Sequence, residues 1–409
     1  MITIQQQPGL WSPIYNPMVF ILDSTNTAQS NFKYIADIYV SGVTDYVRLA
    51  VDADPTYNQG LIDIHRIVES YVSSNAGLKA LNGFEKASSS MIAYEVKFGE
   101  QYGVASAVTT YPMLTVTGTM YAFNAAYTVH DWLDFDGGNI SIEDTGGMLT
   151  DQPMIRTTTA IGNEDNYIHY ITNTSGAVYF AEINTYDSAS ALIGTYRIEN
   201  AYQAVASYDE RRMIFYSGVR ALNAATLYSG VQPVIWSKVY YYTIDLIKYN
   251  ALYQYNQITY MIADNCLNDR VALSLHWKNY KGGFDTYQFD RINRYKTETT
   301  RKYYEKKLGS MTNNAWSYVE SDGGKVAMDT KVQGRYELQS DWTLLTDSLF
   351  LMGLIESPEV YFDDGSGFNR VTVISPTTAE YKAYSLGDVE FSTIKVIVEF
   401  SNDYWKQRG

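Results

Sequence analysis

The chain has one cysteine, four histidines and few charges, and each shortage narrows its possible functions. Cys266 is the only cysteine among 409 residues, so no disulfide forms within the chain and folding does not depend on an oxidising compartment. Because no base stands beside it in the sequence, we interpret Cys266 as a buried structural thiol. Charged residues make up 19% of the chain and hydrophobic residues 46%, a composition that favours large cores over disorder.

The sequence also lacks the motifs of common catalytic and metal sites. It has no phosphate-binding loop, nucleophile elbow, dinucleotide fingerprint or zinc-protease helix. The four histidines are His65, His130, His169 and His276, and no two of them stand at a metal-ligand spacing. We interpret each histidine as a surface or strand-face residue rather than a ligand. We therefore expect no enzymatic activity, no metal and no cofactor. Carboxylates are plentiful, however, so a carbohydrate-active enzyme with two acids roughly 5 to 10 Å apart across a cleft stays as a less favoured alternative.

Membrane and nucleic-acid functions are disfavoured by hydropathy and charge. No apolar run reaches the length of a membrane-spanning helix, and the N-terminal residues lack the features of a signal peptide. We expect a chain that folds in the cytosol without membrane insertion. The formal net charge of −14 is unfavourable for general nucleic-acid binding.

Tyrosine and a basic stretch are the compositional features that point to contacts. The 38 tyrosines suit a β protein and also suit the cores of subunit interfaces. From Arg291 to Lys307 there are seven basic residues and two acidic ones, a local net charge of +5. A solvated face or an exposed loop is the simpler interpretation of this stretch. The functional interpretation is a contact for an acidic neighbouring subunit or, as the less favoured alternative, for a phosphate backbone. The four candidate contact residues are Arg291, Arg294, Arg301 and Lys302.

A β-hairpin is predicted over residues 271–289. Val271, Leu273, Leu275 and Trp277 alternate with polar or small residues, which indicates a half-buried strand. A polar segment ending in two glycines follows, and then aromatic and β-branched residues resume, as in a hairpin with a loop longer than two residues. We interpret this loop as a mobile turn. The predicted fold anchors of this hairpin are Trp277, Phe284, Tyr287 and Phe289.

The rest of the chain predicts a mainly β fold with several antiparallel sandwich-like or jelly-roll-like domains and a few short helices. Residues 1–133 form a β-rich domain with one short helix after Asp63, a plausible N-cap. Residues 134–250 carry short strands separated by turn residues, which is typical of a β-sandwich or jelly roll. Residues 251–409 form a β-rich domain with the hairpin and a short buried helix near 347–356, for which Asp347 is the proposed cap.

Several short motifs resemble, in order along the chain, a family of virion proteins from tailed phages of Bacteroidetes hosts, including crAss-like phages. The matching segments are Trp11–Phe20, Asn31–Tyr34, Asp63–Ile67, Val96–Gly103, Tyr121–Asn124, Lys281–Phe289 and Leu354–Tyr361. The segment from Ile140 to Asn250 shows no comparable match, and we interpret it as a variable module.

The resemblance implies a structural virion protein of the tail, the baseplate or the head–tail connector. Its partners would be other virion subunits and copies of itself in a symmetric ring. The main alternative is a module that binds a host-surface glycan, with residues 140–250 facing the receptor.

Overall fold

The computed structural model describes most of the chain, and strands dominate it. The described residues are 2–74, 83–105, 107–110, 115–133, 135, 147–159, 166–172, 178–202, 211–225, 236–247, 257–263, 273–289, 293–319, 324–340, 343–344, 349–363, 368–375, 384–386, 389–401 and 404–408. Several antiparallel sheets and a few short helices confirm the predicted mainly β class with sandwich-like sheets. Cys266 lies outside the described residues.

The chain divides into two compact units, and the division passes through the predicted hairpin. The first unit contains Met1–Cys266 and Lys278–Thr286, and the second contains Leu267–Trp277 and Tyr287–Gly409. The three-domain division predicted from the sequence is finer than this one and stays a prediction.

The first unit consists of strands with three short helices among its described residues. Strands β1 to β18 occupy, in chain order, Ile2–Gln6, Trp11–Pro13, Val19–Ser24, Lys33–Val40, Tyr46–Val51, Gly60–Asp63, Phe84–Lys86, Met91–Val104, Ala107–Thr110, Thr115–Val116, Met120–Phe123, Ile155–Thr159, Tyr167–Ile171, Phe180–Tyr186, Leu192–Glu199, Arg212–Tyr216, Tyr241–Ile247 and Ile258–Ala263. Helices α1 to α3 occupy His65–Glu69, Val129–Leu133 and Val219–Ala224, and 3₁₀ turns lie at Ser88–Ser90 and Trp236–Lys238.

Two sheets near the N-terminus enclose one core. One sheet has the order β1-β3-β6, and the other has the order β2-β11-β8-β4-β5, with β9 and β10 also paired to β8. The alternation in β4 buries Tyr34, Ala36 and Ile38 in this core. Phe20 of β3 meets them from the other sheet, and its ring centroid lies 5.1 Å from that of Phe98 in β8. Face-to-face sheets with alternating inward side chains make this a sandwich.

A second pair of sheets follows the same principle. The larger sheet has the order β12-β18-β17-β14-β15, and the smaller one has the order β13-β16-β7. Ile183 and Tyr242 from the larger sheet share a core with Ile168 and Phe215 from the smaller one. Strand β7 belongs to the N-terminal part of the sequence but completes this smaller sheet.

The second unit is built on one large sheet. Strands β19 to β31 occupy, in chain order, Leu273–Lys278, Phe284–Phe289, Arg294–Glu305, Ser310–Thr312, Ala315–Ser317, Lys325–Gln339, Thr343–Leu344, Val360–Asp363, Phe368–Ser375, Tyr384–Leu386, Val389–Ser392, Lys395–Phe400 and Tyr404–Arg408. The large sheet has the order β20-β19-β26-β27-β30-β24-β21, with β31 also paired to β24. Two small sheets, β22-β23 and β25-β29-β28, complete the unit as described.

The core of this unit differs from the sequence prediction in one respect. Leu275 and Trp277 of β19 are fully buried in the core, as the period-two pattern predicts. The opposite face is buried as well, since Ser274 and His276 are 4% and 0% exposed. The ring of Phe368 packs edge-on against the His276 imidazole at 5.1 Å between centroids. The prediction of a half-buried strand was therefore wrong, because the face that its polar residues occupy is buried as well.

The predicted helices are present but short. Helix α1 ends at Glu69, and the carboxylate of Asp63 accepts a hydrogen bond from the backbone N–H of His65 at 3.1 Å. Near the predicted buried helix, a 3₁₀ turn at Leu349–Leu351 leads into helix α4, Met352–Glu356, in which Leu354 is buried. The proposed cap of this helix, Asp347, lies outside the described residues.

Candidate functional site

Three of the four predicted contact residues lie on one exposed strand. Arg294, Arg301 and Lys302 belong to β21, whose twelve residues are all exposed. Arg291 lies outside the described residues. The sequence of β21 is rich in threonine and tyrosine, which favour strands, and β21 pairs with β24 along its whole length. The basic stretch is therefore a regular strand over these residues rather than a loop.

The surroundings of β21 are exposed and apolar. We call residues 294–319, which contain β21 and the β22–β23 hairpin, together with residues 325–331 of β24 the arm. Its large exposed apolar side chains are Tyr295, Tyr303, Tyr304, Leu308, Met311, Trp316, Tyr318, Val319 and Met328. A set of this size on one segment is characteristic of an interaction surface, because monomeric proteins rarely expose large apolar patches.

Basic groups lie among these aromatic rings. The ammonium of Lys325 is 4.5 Å from the centroid of the Tyr303 ring, and that of Lys307 is 5.3 Å from the Trp316 ring. Such cation–π contacts contribute about 0.5–1 kcal/mol each at exposed sites. They hold the lysine stems against the rings, so that the surface of the arm is both aromatic and cationic.

The charges on β21 fall into two groups. Near the root of the arm, Lys296 pairs with Glu337, and Glu298 pairs with Arg335. The hydrogen bond from Lys296 lowers the pKa of Glu337. Arg301 and Lys302 have no acidic partner within 4 Å among the residues that the structure describes. These two cations are thus available to an acid on another molecule.

The predicted hairpin anchors divide between the two units. Trp277 and Phe289 are fully buried in the core of the second unit, and Tyr287 packs against that core while half-buried. The ring of Trp277 stacks on Phe350 with 5.8 Å between centroids. Phe284 is 2% exposed and belongs to the first unit, where its ring lies 6.1 Å from the His169 imidazole.

The tip of the hairpin is seated inside the first unit, whereas the sequence indicated a mobile turn. Its loop closes on itself, because the side-chain oxygen of Asn279 accepts a hydrogen bond from the N–H of Gly283 at 3.0 Å. The amide of Asn279 donates to the carbonyl of Leu149 at 2.9 Å, and Lys281 pairs with Asp151 at 2.7 Å. Interpretation of this turn as mobile was wrong, since it is packed and hydrogen-bonded.

Four buried ionisable side chains surround the tip. Arg212 is 1% exposed and donates to the carbonyls of Gly282 and Ser90. Burial lowers the pKa of Arg212 to about 9, and burial with the nearby Arg212 and Arg156 charges lowers the pKa of His169 well below its ordinary value. Burial raises the pKa of Asp285 to about 6, against the opposing effect of a hydrogen bond from Thr150. Within this cluster, Arg212 holds the tip through its charge-assisted hydrogen bond to the carbonyl of Gly282, and Thr150 donates a hydrogen bond to the Asp285 carboxylate.

Sequence reasoning missed three members of this cluster. Arg156, Arg212 and Asp285 had no assigned role, and His169 was assigned to a surface or strand face. His169 is instead 1% exposed, because β13 is buried on both faces. The cluster unites residues more than a hundred positions apart, and the available signal was the position of Asp285 two residues after the second of the two glycines.

The carboxylates of the middle region do not stand as an isolated catalytic pair. Glu182 and Asp245 are cross-strand neighbours on β14 and β17. Glu182 pairs with Arg197 at 2.8 Å, and both oxygens of Asp245 accept hydrogen bonds from Gln257 at 3.1 and 2.9 Å. Both carboxylates thus have partners within the middle region, which favours a structural role for both acids.

Neither a metal site nor a membrane-spanning helix is found in the described part of the chain. There, no three histidine, cysteine or acidic side chains are grouped as metal ligands. No helix within the same residues is long and apolar enough to cross a bilayer.

Comparison with known proteins adds no assignment. No family model matches the chain, and no curated protein matches it.

Two tryptophans test the difference between fold anchor and surface residue. Trp277→Ala should destabilise the second unit by about 3–5 kcal/mol, because it empties a fully buried site. Trp316→Ala, the matched control, removes a side chain that is 51% exposed and should change the free energy of unfolding by less than about 0.5 kcal/mol. Urea unfolding of both variants provides the measurement. Equal losses would show that Trp316 also anchors the fold.

The glycines at the hairpin tip test its seating. A Cβ on Gly283 would lie well inside 3.0 Å of the Leu149 carbonyl oxygen, and one on Gly282 would collide with the Asn124 carbonyl. Because the atoms in the way belong to the backbone, they cannot move aside without disturbing the surrounding fold. Gly283→Ala should therefore lower the free energy of unfolding by roughly 3 kcal/mol or more. Gly118→Ala is the control, since its Cβ meets nothing within 4 Å. Thermal unfolding of the two variants decides the matter, and similar melting temperatures would contradict a seated tip.

Asp285 should give the first unit a distinct pH dependence. Its pKa is raised from 3.8 to about 6, so the folded chain holds this proton more tightly than the unfolded chain. Its contribution to stability is therefore greatest below about pH 4 and is lost as the pH rises through 6. Relative to Asp285→Asn, the wild type should lose up to about 3 kcal/mol between pH 4 and pH 7.

Urea unfolding of both proteins at several pH values measures this difference. Asp45→Asn, at an exposed position, serves as the control and should show a nearly constant offset from the wild type. A constant offset for Asp285→Asn as well would mean that Asp285 ionises alike in both states.

Proposed function

We propose that this protein is a structural virion subunit of a tailed bacteriophage that acts by assembly in the tail, the baseplate or the head–tail connector. The observation that carries the proposal is the exposure of the arm. Its long strand, its β22–β23 hairpin and the residues beside them present nine large apolar side chains to solvent. The motif resemblance to virion proteins of Bacteroidetes phages supports the same role. In this role the protein folds in the host cytosol and ends in the particle.

The proposed mechanism is burial of the arm between subunits of a symmetric ring. Burial of apolar surface contributes about 25 cal/mol per Å² removed from water, and aromatic side chains dominate such contacts. Trp316, Tyr318 and Met311 at the end of the arm are suited to a pocket on another virion subunit. The unpaired cations Arg301 and Lys302 select an acidic neighbour.

Charge supports contacts between like chains as well. The first unit carries 15 lysines and arginines against 26 aspartates and glutamates. The basic arm is thus attracted to proteins of this composition, whereas two acidic surfaces repel each other. Assembly through the arm should weaken as the salt concentration rises, because exposed charges are screened.

Electron microscopy and quantitative mass spectrometry of particles test the role. The double variant Trp316→Ser with Tyr318→Ser should reduce incorporation at least tenfold and leave the melting temperature unchanged, since both side chains are more than half exposed. Tyr57→Ser is the matched control, because Tyr57 is 73% exposed but lies outside the arm. A protein that is strictly monomeric and absent from every particle would overturn the assembly role.

A glycan-binding module is the second candidate function. On the sheet of the middle region, the rings of Tyr186 and Tyr241 stack at 4.6 Å between centroids, and Tyr240 beside them is 47% exposed. Aromatic side chains of this kind can line a sugar platform. A glycan array with the wild type and Tyr240→Ala tests this candidate, and it fails if no glycan is retained above background.

A further inference from the structure

We propose that β21 pairs edge to edge with β21 of a second copy of this chain, around a two-fold axis at Thr300. The inference deepens the assembly role proposed above by naming the partner of one edge of the arm. The two copies would share one continuous sheet through an antiparallel β21–β21 junction.

The outer edge of β21 is open. β21 ends the large sheet, and among the described residues it pairs only with β24. A strand edge presents unpaired N–H and C=O groups, which form a template for another strand. The irregularity in this ladder lies on β24, where Lys302 faces Asp329 and Tyr303 faces Ala327. Consecutive residues of β21 itself thus stay evenly spaced along the outer edge.

Symmetry restricts how two such edges can meet. In an antiparallel pair, residues directly opposite each other project from the same face of the sheet. A two-fold axis perpendicular to the sheet must then pass beside one residue and its own copy, because adjacent residues project from opposite faces. The registers that pair nine or more residues of β21 have axes at Glu298, Thr299, Thr300 or Arg301.

Charge selects one of these four registers. An axis at Glu298 or Arg301 places that charge opposite its own copy, and an axis at Thr299 places Lys296 opposite Lys302. Like charges directly opposite each other destabilise a sheet. The axis at Thr300 has no pair of like charges directly opposite and joins residues 295–305 of both copies. It alone satisfies the sequence of β21.

The pairs formed around Thr300 are favourable. Glu298 stands opposite Lys302 of the other copy, and by symmetry this ion pair occurs twice. Lys296 stands opposite Tyr304, which suits a cation–π contact. Tyr295 stands opposite Glu305, whose carboxylate can accept the phenol hydrogen bond. All of these residues are exposed in the single chain, so the pairing requires no unfolding.

A charge-swap experiment on the full-length chain tests the register. Glu298→Lys and Lys302→Glu each place like charges opposite each other, so each should weaken dimerisation at least tenfold. The double variant restores the opposite charges and should dimerise within about threefold of the wild type. Analytical ultracentrifugation at several concentrations measures the shift from 46.3 kDa to twice that mass, and circular dichroism verifies that every variant is folded. Glu298→Gln measures separately the loss of the Glu298–Arg335 pair within the chain.

Crosslinking supplies an independent test of the axis. In a Cys266→Ser background, Thr300→Cys should be linked to its own copy by a short bis-maleimide reagent in most of the protein. Thr297→Cys is the control on the same strand, because it would lie roughly 20 Å from its copy at the usual rise per residue. Equal crosslinking at both positions, a double swap no better than the single variants, or a wild type that stays monomeric at high concentration would each overturn the proposal.

These outcomes are separate from the test of the virion role. Monomeric protein that is still recovered in particles removes the β21 junction and leaves the virion role. A dimer with the predicted charge-swap pattern that is absent from all particles retains the junction and removes the virion role.

Discussion

The seating of the hairpin tip against backbone carbonyls is the constraint on which the first unit depends. Gly282 and Gly283 approach the carbonyls of Asn124 and Leu149 so closely that no larger residue fits. Gly282 also has a φ of +91°, a conformation that glycine adopts at little cost. The chain thus uses two glycines where backbone meets backbone, and the buried Arg212 then reaches the carbonyl of Gly282. The same hairpin contributes Trp277 and Phe289 to the core of the second unit, so one supersecondary element serves both units.

The arm differs from the hairpin tip, because its side chains are exposed to solvent instead of being packed within the fold. Sandwich strands such as β13, β16 and β17 are buried on both faces, whereas all twelve residues of β21 are exposed and, among the described residues, one of its edges is unpaired. The exposed tyrosines of β21 contribute little to the stability of a single chain, since an exposed side chain has a small effect on the free energy of unfolding. Only when another protein surface covers these tyrosines does their apolar area leave water and contribute to the free energy of association. This contrast separates residues that hold the fold from residues suited to assembly.

The alternation of apolar and polar residues correctly predicted burial for the strand faces that carry apolar side chains. Leu275 and Trp277 gave the inward face of β19. The same alternation failed to predict burial where parts of the chain that are distant in sequence cover a face with polar residues. His169 and His276 were interpreted as surface or strand-face residues, yet both are buried, because both faces of their strands are covered. The cluster at the hairpin tip could not be predicted, since its charges meet only after folding. The basic stretch was recognised by its charge, but its threonines and tyrosines already favoured a strand.

The charges along the exposed edge of β21 have two effects on how this strand can pair with a copy of itself. Lysine and arginine on an open edge oppose indiscriminate pairing, because most registers with a copy of the same strand bring like charges together. The same residues permit the one register in which Glu298 and Lys302 stand at equal distances on either side of Thr300. A strand of uniform charge would block self-pairing altogether, and an uncharged one would allow many registers. Mixed charges placed symmetrically about one residue restrict pairing to a single geometry, which is the requirement of a closed assembly.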